Sequence, residues 1–425
     1  MVYGAGYSYA QRRAASPVVA ALLDELSSRK VDFVGIGDSN QLLGGLGWDH
    51  GFQKFLSDNY EMYSTGLLSL AENNFNGSGT GYGYGRGGAT FTGAAITGAP
   101  ASLDDHLDKG LGSLGPHDYL YVPNGSASAT SYNNGITTST GGPLDVAANL
   151  KFQTWWGSFD SDSGSFKPTC RLGVSPWTLQ ATASLVSTNT GSLGDMAVEE
   201  LSIPASEGRV AVQCSLNQIG SVAVTGPFFG TYYRIVNADI DYGFSYNTLN
   251  FHGGGSVKDM AYDLQQMSDA SLTHYFTALR YGNSERKSIC FIINSGVNDR
   301  TEADTSVGVD AVADGDSPEA FADNLSAIVA RMKAIWSANS WDFDEVSWVF
   351  LVSHPVSDPD DAELVLYREA AASYAASIAQ AVAIDITDYF VEGDFLTNSW
   401  YASGGADRNH LTQAGYEGVA AGVFE

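Results

Sequence analysis

Basic residues are scarce in this sequence. Of 425 residues, 21 are Lys or Arg and 48 are Asp or Glu, which gives a formal net charge of −27. A chain without a Lys/Arg cluster repels a polyanion, so we expect neither nucleic acid nor an anionic membrane surface as a partner. Long apolar runs are also absent, and the sequence therefore predicts no membrane-spanning segment.

Cysteine is equally rare. The three cysteines, Cys170, Cys214 and Cys290, cannot form a closed disulfide framework. Cys290 lies in an apolar run that is typical of a buried thiol, whereas the sequence leaves open whether Cys170 and Cys214 pair. No Cys-x-x-Cys or His-x-x-x-His spacing occurs, so we expect no metal and no cofactor. No apolar core of signal-peptide length is seen near the start; the compartment stays open, and an extracellular or virion-associated setting is compatible with the acidity.

Apolar residues, in contrast, make up 44% of the chain and aromatic residues 12%, which is enough for a large buried core. Helical apolar spacing occurs over residues 16–28, 48–56, 257–267 and 362–379, and again from Ser317 and from Thr412. Short β-rich runs occur over 31–36, 246–251, 287–294, 346–352 and 381–386. Strands that alternate with helices predict a parallel sheet covered on both faces, in a doubly wound α/β domain.

The middle of the chain has a different character. Residues 73–142 are dominated by Gly, Ser, Thr, Asn and Tyr, and residues 150–236 carry short alternating runs separated by turns, which is typical of an antiparallel β-sandwich. We therefore expect a first part of the α/β domain at 1–80, Gly/Ser-rich loops and a β-sandwich insertion at 81–236, and the second part of the domain at 237–425. Trp155, Trp156 and Trp177 either stack on sugar rings or fill the core of the insertion.

The tripeptide Gly-Asp-Ser occurs twice. Ser39 directly follows the predicted strand 31–36, so it belongs at the carboxyl end of the first strand, where open α/β sheets place their ligands. Ser317 follows a polar stretch and precedes Pro318, a pattern typical of a helix N-cap. Ser39 is therefore the candidate nucleophile.

A serine nucleophile needs a base, and the base needs a group that fixes its tautomer. Of seven histidines, His410 alone has an aspartate three residues before it, Asp407. This pair is expected on a loop just before the last helix. Asp388 is the alternative carboxylate that could orient the base.

Donors for a developing oxyanion are expected at the same edge of the sheet. Asn298 follows the apolar strand 287–294, and the glycines 253–255 follow the strand 246–251 and precede a helix. Trp400 and Tyr401, shortly before Asp407, are candidates to line an acyl or sugar pocket.

Four motifs together resemble the SGNH, or GDSL-type, serine hydrolase superfamily. They are Gly37-Asp38-Ser39, Gly254 in Gly-Gly-Ser, Gly296-Val297-Asn298-Asp299, and Asp407 to His410. They match in order and in setting, over residues 30–70 and 240–425. Two features depart from the family pattern: Asn40 stands where the family has Leu, and the three consecutive glycines leave the choice of Gly254 open by one residue.

The resemblance implies a flavodoxin-like α/β sheet and a Ser-His-Asp triad of Ser39, His410 and Asp407. It also implies an oxyanion hole made by the amides of Ser39 and Gly254 and by the side chain of Asn298. The function it implies is serine ester hydrolysis, and the insertion favours removal of O-acetyl or other short acyl groups from carbohydrate, with a small ester or an acetylated glycan as partner. The alternatives are a short-chain carboxylesterase of broad range and a non-catalytic surface or virion glycan-binding protein with a vestigial site. The oligomeric state is left open.

Overall fold

The structure is a computed structural model. It describes residues 16–38, 40, 47–69, 120–122, 135–139, 144–157, 165–166, 169–172, 178–182, 186–187, 196–215, 228–251, 255–282, 288–299, 317–352, 354–355, 360–405 and 407–424.

The helices of these ranges are α1 Pro17–Glu25, α2 Trp48–Asn59, α3 Val257–Gln266, α4 Asp269–Arg280, α5 Pro318–Ala338, α6 Asp360–Ala375, α7 Glu392–Thr397 and α8 Gln413–Phe424. The strands are β1 Lys30–Gly37, β2 Leu68–Ser69, β3 Leu120–Val122, β4 Gly135–Ser139, β5 Leu150–Gly157, β6 Ser165–Phe166, β7 Thr169–Leu172, β8 Thr178–Thr182, β9 Val186–Ser187, β10 Met196–Ile203, β11 Ala211–Ser215, β12 Phe228–Asn237, β13 Gly243–Phe251, β14 Ser288–Ser295, β15 Val346–Val352, β16 Ala381–Asp385, β17 Tyr401–Ala402 and β18 Asp407–Leu411.

A five-stranded parallel sheet, in the order β13-β1-β14-β15-β16, forms the α/β part. Side chains alternate along β1: Val31 and Phe33 pack in one apolar cluster, and Val34 and Ile36 pack in another. The first cluster contains residues of α1, α2 and α8, and the second contains residues of α3, α4, α5 and α6. Helices therefore cover both faces of the sheet, and the predicted mixed α/β architecture with a parallel sheet is confirmed.

Two antiparallel sheets lie beside this unit. One has the order β10-β5-β12-β2, with β3 also on β12, and the other has the order β4-β11-β7-β8. Phe152 from the first sheet and Val212 from the second belong to the same buried cluster, so the two sheets share apolar packing. Cys214 lies directly opposite Cys170 in the register of β11 and β7.

The first antiparallel sheet continues from the edge of the parallel sheet. Met62 bridges Phe244 of β13 in parallel, and Ser64 bridges Val236 of β12 in antiparallel orientation. Residues 62–69 thus run in the same direction as β13, and the start of β12 points toward the carboxyl edge of the parallel sheet. None of the helices in the described part of the chain combines the length and apolarity needed to cross a membrane.

Two of the three tryptophans considered for sugar stacking are core residues. Trp155 and Trp156 are only 5% and 6% exposed. The guanidinium of Arg234 lies over the ring of Trp155, which forms a T-shaped pair with Tyr281. Trp156 shares a cluster with Phe152 and Val212 of the antiparallel sheets, whereas Trp155 packs in the cluster that contains residues of α3 to α6. Both indoles are therefore buried, but only Trp156 belongs to the cluster that fills the insertion. Trp177 lies outside the described residues.

Three local expectations need correction. Residues 269–280 form α4, for which the sequence analysis predicted no helix, and residues 392–397 form the short helix α7. The segment with Asp407 and His410, expected as a loop, is the strand β18, paired with β17.

The expected N-cap at Ser317 is confirmed, because its side chain accepts a hydrogen bond from the N–H of Ala320 at 3.2 Å.

Candidate active site

The carboxyl ends of three neighbouring strands define the candidate site. Gly37, the last residue of β1, is paired with Phe251 of β13 on one side and with Asn294 of β14 on the other. Residues that directly follow these strands must therefore meet at one edge of the sheet. The described residues of three motifs lie at this edge: Asp38 after β1, Gly255 and Ser256 after β13, and Asn298 and Asp299 after β14.

Asp38 lies at the centre of the polar contacts described there. It is 1% exposed, and its Oδ1 accepts the N–H of Asn40 at 2.8 Å. Burial raises the pKa of the Asp38 carboxyl from 3.8 to about 6; the Asn40 N–H and the charge of a protonated His410 act in the opposite direction. Burial of the Asp38 carboxyl thus favours its protonated form.

Asn298 is held by two neighbours. Its Nδ2 donates to Oδ2 of Asp38 at 3.0 Å and to the carbonyl of Gly255 at 3.1 Å. A primary amide has two N–H groups, so these two bonds engage both of them. The Asn298 amide is thereby fixed between the residue before Ser39 and the glycine run.

Asp299 ties this turn to the next helix. Its Oδ2 accepts the N–H of Gly296 at 2.9 Å, and its Oδ1 accepts the N–H of Val257, the first residue of α3, at 2.8 Å. Ser256 and Asp259 form a capping box on the same helix end. Gly296, at φ +111°, allows the tight turn after β14. These hydrogen bonds therefore tie the turn after β14 to the first residue of α3.

His410 lies in an irregular part of β18. Ala402 pairs with Asp407, and the adjacent Tyr401 pairs with Leu411. A step of one residue on β17 thus corresponds to four on β18, so the intervening residues bulge out of the ladder. The half-buried His410 lies in this bulge, where the sequence predicted a loop.

A tyrosine hydroxyl connects two of these segments. The hydroxyl of Tyr416 in α8 donates to Oδ1 of Asn40 at 2.8 Å and accepts the N–H of Leu411 at 3.3 Å. The sequence marked Asn40 only as a departure from the family pattern and gave Asp38, Asp299 and Tyr416 no role. Asp38 and Asp299 stand in recognised motifs, whereas nothing in the sequence linked Tyr416 to the site.

Trp400 and Tyr401 are 7% and 2% exposed. Both rings pack on Phe395, and the hydroxyl of Tyr401 donates to the carbonyl of Pro355 at 2.8 Å. These contacts hold the β17–β18 hairpin against the domain. Both rings are therefore largely enclosed by neighbouring side chains.

The remaining expected site residues are only partly visible. Ser39 and Gly254 lie outside the described residues, and so does the side chain of Asp407, whose backbone belongs to β18. In the part of the chain that the structure describes, no group of three or more His, Cys, Asp or Glu is arranged to hold a metal ion.

The raised pKa of Asp38 has a consequence for stability. An unfolded chain ionises this carboxyl near 3.8 and the folded protein near 6, so between these values the folded state loses stability as pH rises. Asp38→Asn cannot ionise and escapes this loss. We expect the free energy of unfolding of the variant, relative to wild type, to increase by about 2 kcal/mol from about pH 4 to about pH 8. Urea unfolding at both pH values measures it, and a pH-independent difference contradicts it.

Comparison with known proteins gives limited similarity. No protein-family profile and no curated protein matches the sequence. A carbohydrate esterase family 2 enzyme with a carbohydrate-binding domain from Corynascus thermopiles (Myceliophthora fergusii) is 13% identical with a TM-score of 0.30, over 72% of this chain and 93% of that one. Family 2 carbohydrate esterases from Clostridium thermocellum and Cellvibrio japonicus are each 8% identical, with TM-scores of 0.25 and 0.27, over 68% and 72% of this chain and 90% and 88% of theirs. At these values the comparison assigns neither a family nor an activity, and the proposal below rests on the residues.

Proposed function

We propose that this protein is a serine ester hydrolase of the SGNH type, in which a doubly wound α/β domain is interrupted by a β-sandwich insertion. The observation that carries the proposal is the convergence on Asp38. The amide of Asn298 binds its carboxylate at 3.0 Å, and the hydroxyl of Tyr416 bonds both Asn40 and Leu411, the residue after His410. Three segments that are far apart in sequence are thus joined around the residues that flank Ser39, and each carries a residue to which we assign a role in acyl transfer.

In the proposed reaction, Ser39 attacks the ester carbonyl while neutral His410 accepts the hydroxyl proton. Asp407 holds the imidazole in the required tautomer. Collapse of the tetrahedral intermediate breaks the bond to the alcohol, which leaves with the proton from His410. Water then repeats the sequence on the acyl-enzyme and releases the acid.

The negative oxygen of the intermediate requires donors that are already in place. We assign this role to the amides of Ser39 and Gly254 and to the side chain of Asn298. Because both N–H groups of Asn298 are bonded, an oxyanion competes for one of them. The bond to Asp38 keeps the amide oriented while the carbonyl of Gly255 is the exchangeable partner.

For the substrate, we propose short acyl esters, with O-acetyl groups on carbohydrate as the first choice. The start of β12 points toward the carboxyl edge of the parallel sheet, which favours a role for the first antiparallel sheet beside the proposed site. The burial of Trp155 and Trp156 removes two of the three aromatic rings considered for sugar binding. The alternative function is a short-chain carboxylesterase of broad range, and the experiment must distinguish it from an esterase that acts on acetylated carbohydrate.

Rates of hydrolysis of an aryl acetate, of aryl esters with longer acyl chains and of an acetylated polysaccharide distinguish these functions. We expect release of acetate from both acetylated substrates and a decline in kcat/KM as the acyl chain lengthens. Hydrolysis of several aryl esters without release of acetate from the polysaccharide supports the carboxylesterase. Polysaccharide binding without hydrolysis of any ester indicates a glycan-binding protein and defeats the proposal. The Ser39→Ala variant gives the background rate of hydrolysis for every substrate.

A further inference from the structure

We infer that the hydroxyl of Tyr416 is a positioning group, which through Asn40 holds the strand of the base and the turn of the nucleophile at a fixed separation. The inference rests on the proposed function, since it concerns the same Ser39 and His410. It adds a residue from the last helix that none of the recognised motifs contains.

The two hydrogen bonds of the hydroxyl reach the immediate neighbours of the reacting residues. Asn40, which accepts from Tyr416 at 2.8 Å, follows Ser39 in the chain. Leu411, whose N–H donates to the same hydroxyl at 3.3 Å, follows His410. One oxygen atom therefore joins the side chain of the residue after the nucleophile to the backbone N–H of the residue after the base.

The whole connection is shielded from water. Tyr416 is 0% exposed, Leu411 1% and Asn40 3%. Water has no access to replace either bond, so the loss of one partner leaves a buried polar group unsatisfied. Buried hydrogen bonds of this kind specify one arrangement of the groups they join.

The hydroxyl itself is held by regular structure. The N–H of Tyr416 bonds the carbonyl of Thr412 at 3.0 Å in the first turn of α8, and its ring packs edge-on against Trp48 of α2. At the other end, the N–H of Asn40 is bonded to the Asp38 carboxylate. The position of the oxygen is thus set by two packed helices and by the turn after β1.

Proton transfer from a serine to an imidazole requires a heavy-atom separation of about 2.6–3.2 Å, and a misplacement of about 1 Å can cost about 100-fold in rate. Ser39 and His410 come from different elements, so something must fix their separation. The family that this sequence resembles usually has Leu at the position of Asn40. Leu has no atom that could accept a hydrogen bond from the Tyr416 hydroxyl. The bridge therefore belongs to the Asn40 of this chain.

Tyr416→Phe removes the bridging oxygen and keeps the buried ring. We expect kcat for an aryl acetate to fall about 10- to 100-fold with KM changed less than about twofold, because ground-state binding does not depend on the separation of nucleophile and base. Tyr63→Phe is the matched control. It removes another buried tyrosine hydroxyl, bonded to Asp32 in the first half of β1, and we expect lower stability with unchanged kcat.

A double-variant cycle separates positioning from general loosening. We expect Asn40→Leu to lower kcat as much as Tyr416→Phe, and the double variant to lose no more than either single variant, since both remove one bridge. Additive losses, or a fall in kcat for Tyr63→Phe as large as for Tyr416→Phe, overturn the inference. Asn40→Leu tests the bridge by itself if Tyr416→Phe does not fold.

The proposed function and this inference fail in different ways. Absence of hydrolysis by the wild-type protein on every ester defeats the proposed function and the inference with it. An active wild type whose Ser39 reacts with an organophosphonate, together with an unchanged kcat for Tyr416→Phe, defeats the inference alone.

Discussion

Ser39→Ala is expected to lower kcat/KM for ester hydrolysis by about 10⁴- to 10⁶-fold while the protein remains folded, because no other group in the proposed site forms the acyl-enzyme. Alanine retains the Cβ atom at position 39 and removes only the hydroxyl group. Steady-state kinetics on an aryl acetate measures the loss, and circular dichroism checks the fold.

Ser317→Ala is the control for this substitution, since it changes the second Gly-Asp-Ser. Ser317 caps α5 by accepting the N–H of Ala320. Its removal should cost about 1 kcal/mol of stability and leave the hydrolytic rate at the wild-type value. If Ser39→Ala keeps a large part of the activity, the assignment of the nucleophile is wrong.

Asp407→Asn has the second largest expected effect, a fall in kcat of about 10⁴-fold, because the amide presents a donor where the imidazole requires an acceptor and so favours the wrong tautomer. The shape of the side chain is almost unchanged, so stability should change little. The rate loss is measured with the same aryl acetate.

Asp388→Asn is the matched control because Asp388 is the other carboxylate considered for this role. It lies in the short helical segment Ile386–Asp388 that follows β16. We expect near-normal kcat for this variant. The reverse pattern, a normal rate for Asp407→Asn and a large loss for Asp388→Asn, makes Asp388 the orienting group.

The positions of the strands near the site could be predicted from sequence because each is a short β-rich run bounded by turn residues. The predicted strands 31–36 and 246–251 agree with β1 and β13 to within a few residues. The carboxyl ends of parallel strands lie at one edge of a sheet, so the motifs that directly follow these strands were expected to meet there. The N-cap at Ser317 was likewise encoded locally.

The helix α4 was missed although its signals are present. Ser268 caps it, and the buried residues Leu272, Tyr275, Phe276 and Leu279 have helical spacing. The aromatic and β-branched content of the segment favours strands in a local reading, and packing on the parallel sheet overrides that preference.

The contacts that build the site could not be predicted. Asn298 and Asp38 are 260 residues apart, and Tyr416 and Asn40 are 376 residues apart. Local patterns carry no information on pairings at such separations. The same limit explains Trp155 and Trp156: an alternating strand buries one face or the other according to what packs on it, and here both indoles are enclosed.

Covalent labelling tests the central claim most directly. An aryl organophosphonate mimics the tetrahedral intermediate and forms a stable bond only with a nucleophile that is activated beside a base and an oxyanion site. Incubation of the full chain, followed by peptide mass spectrometry, should place a single phosphonyl group on Ser39 in proportion to the loss of hydrolysis, and His410→Ala should abolish the reaction. A phosphonyl group on any other residue, or complete inhibition with Ser39 unmodified, contradicts the assignment of Ser39 as the nucleophile.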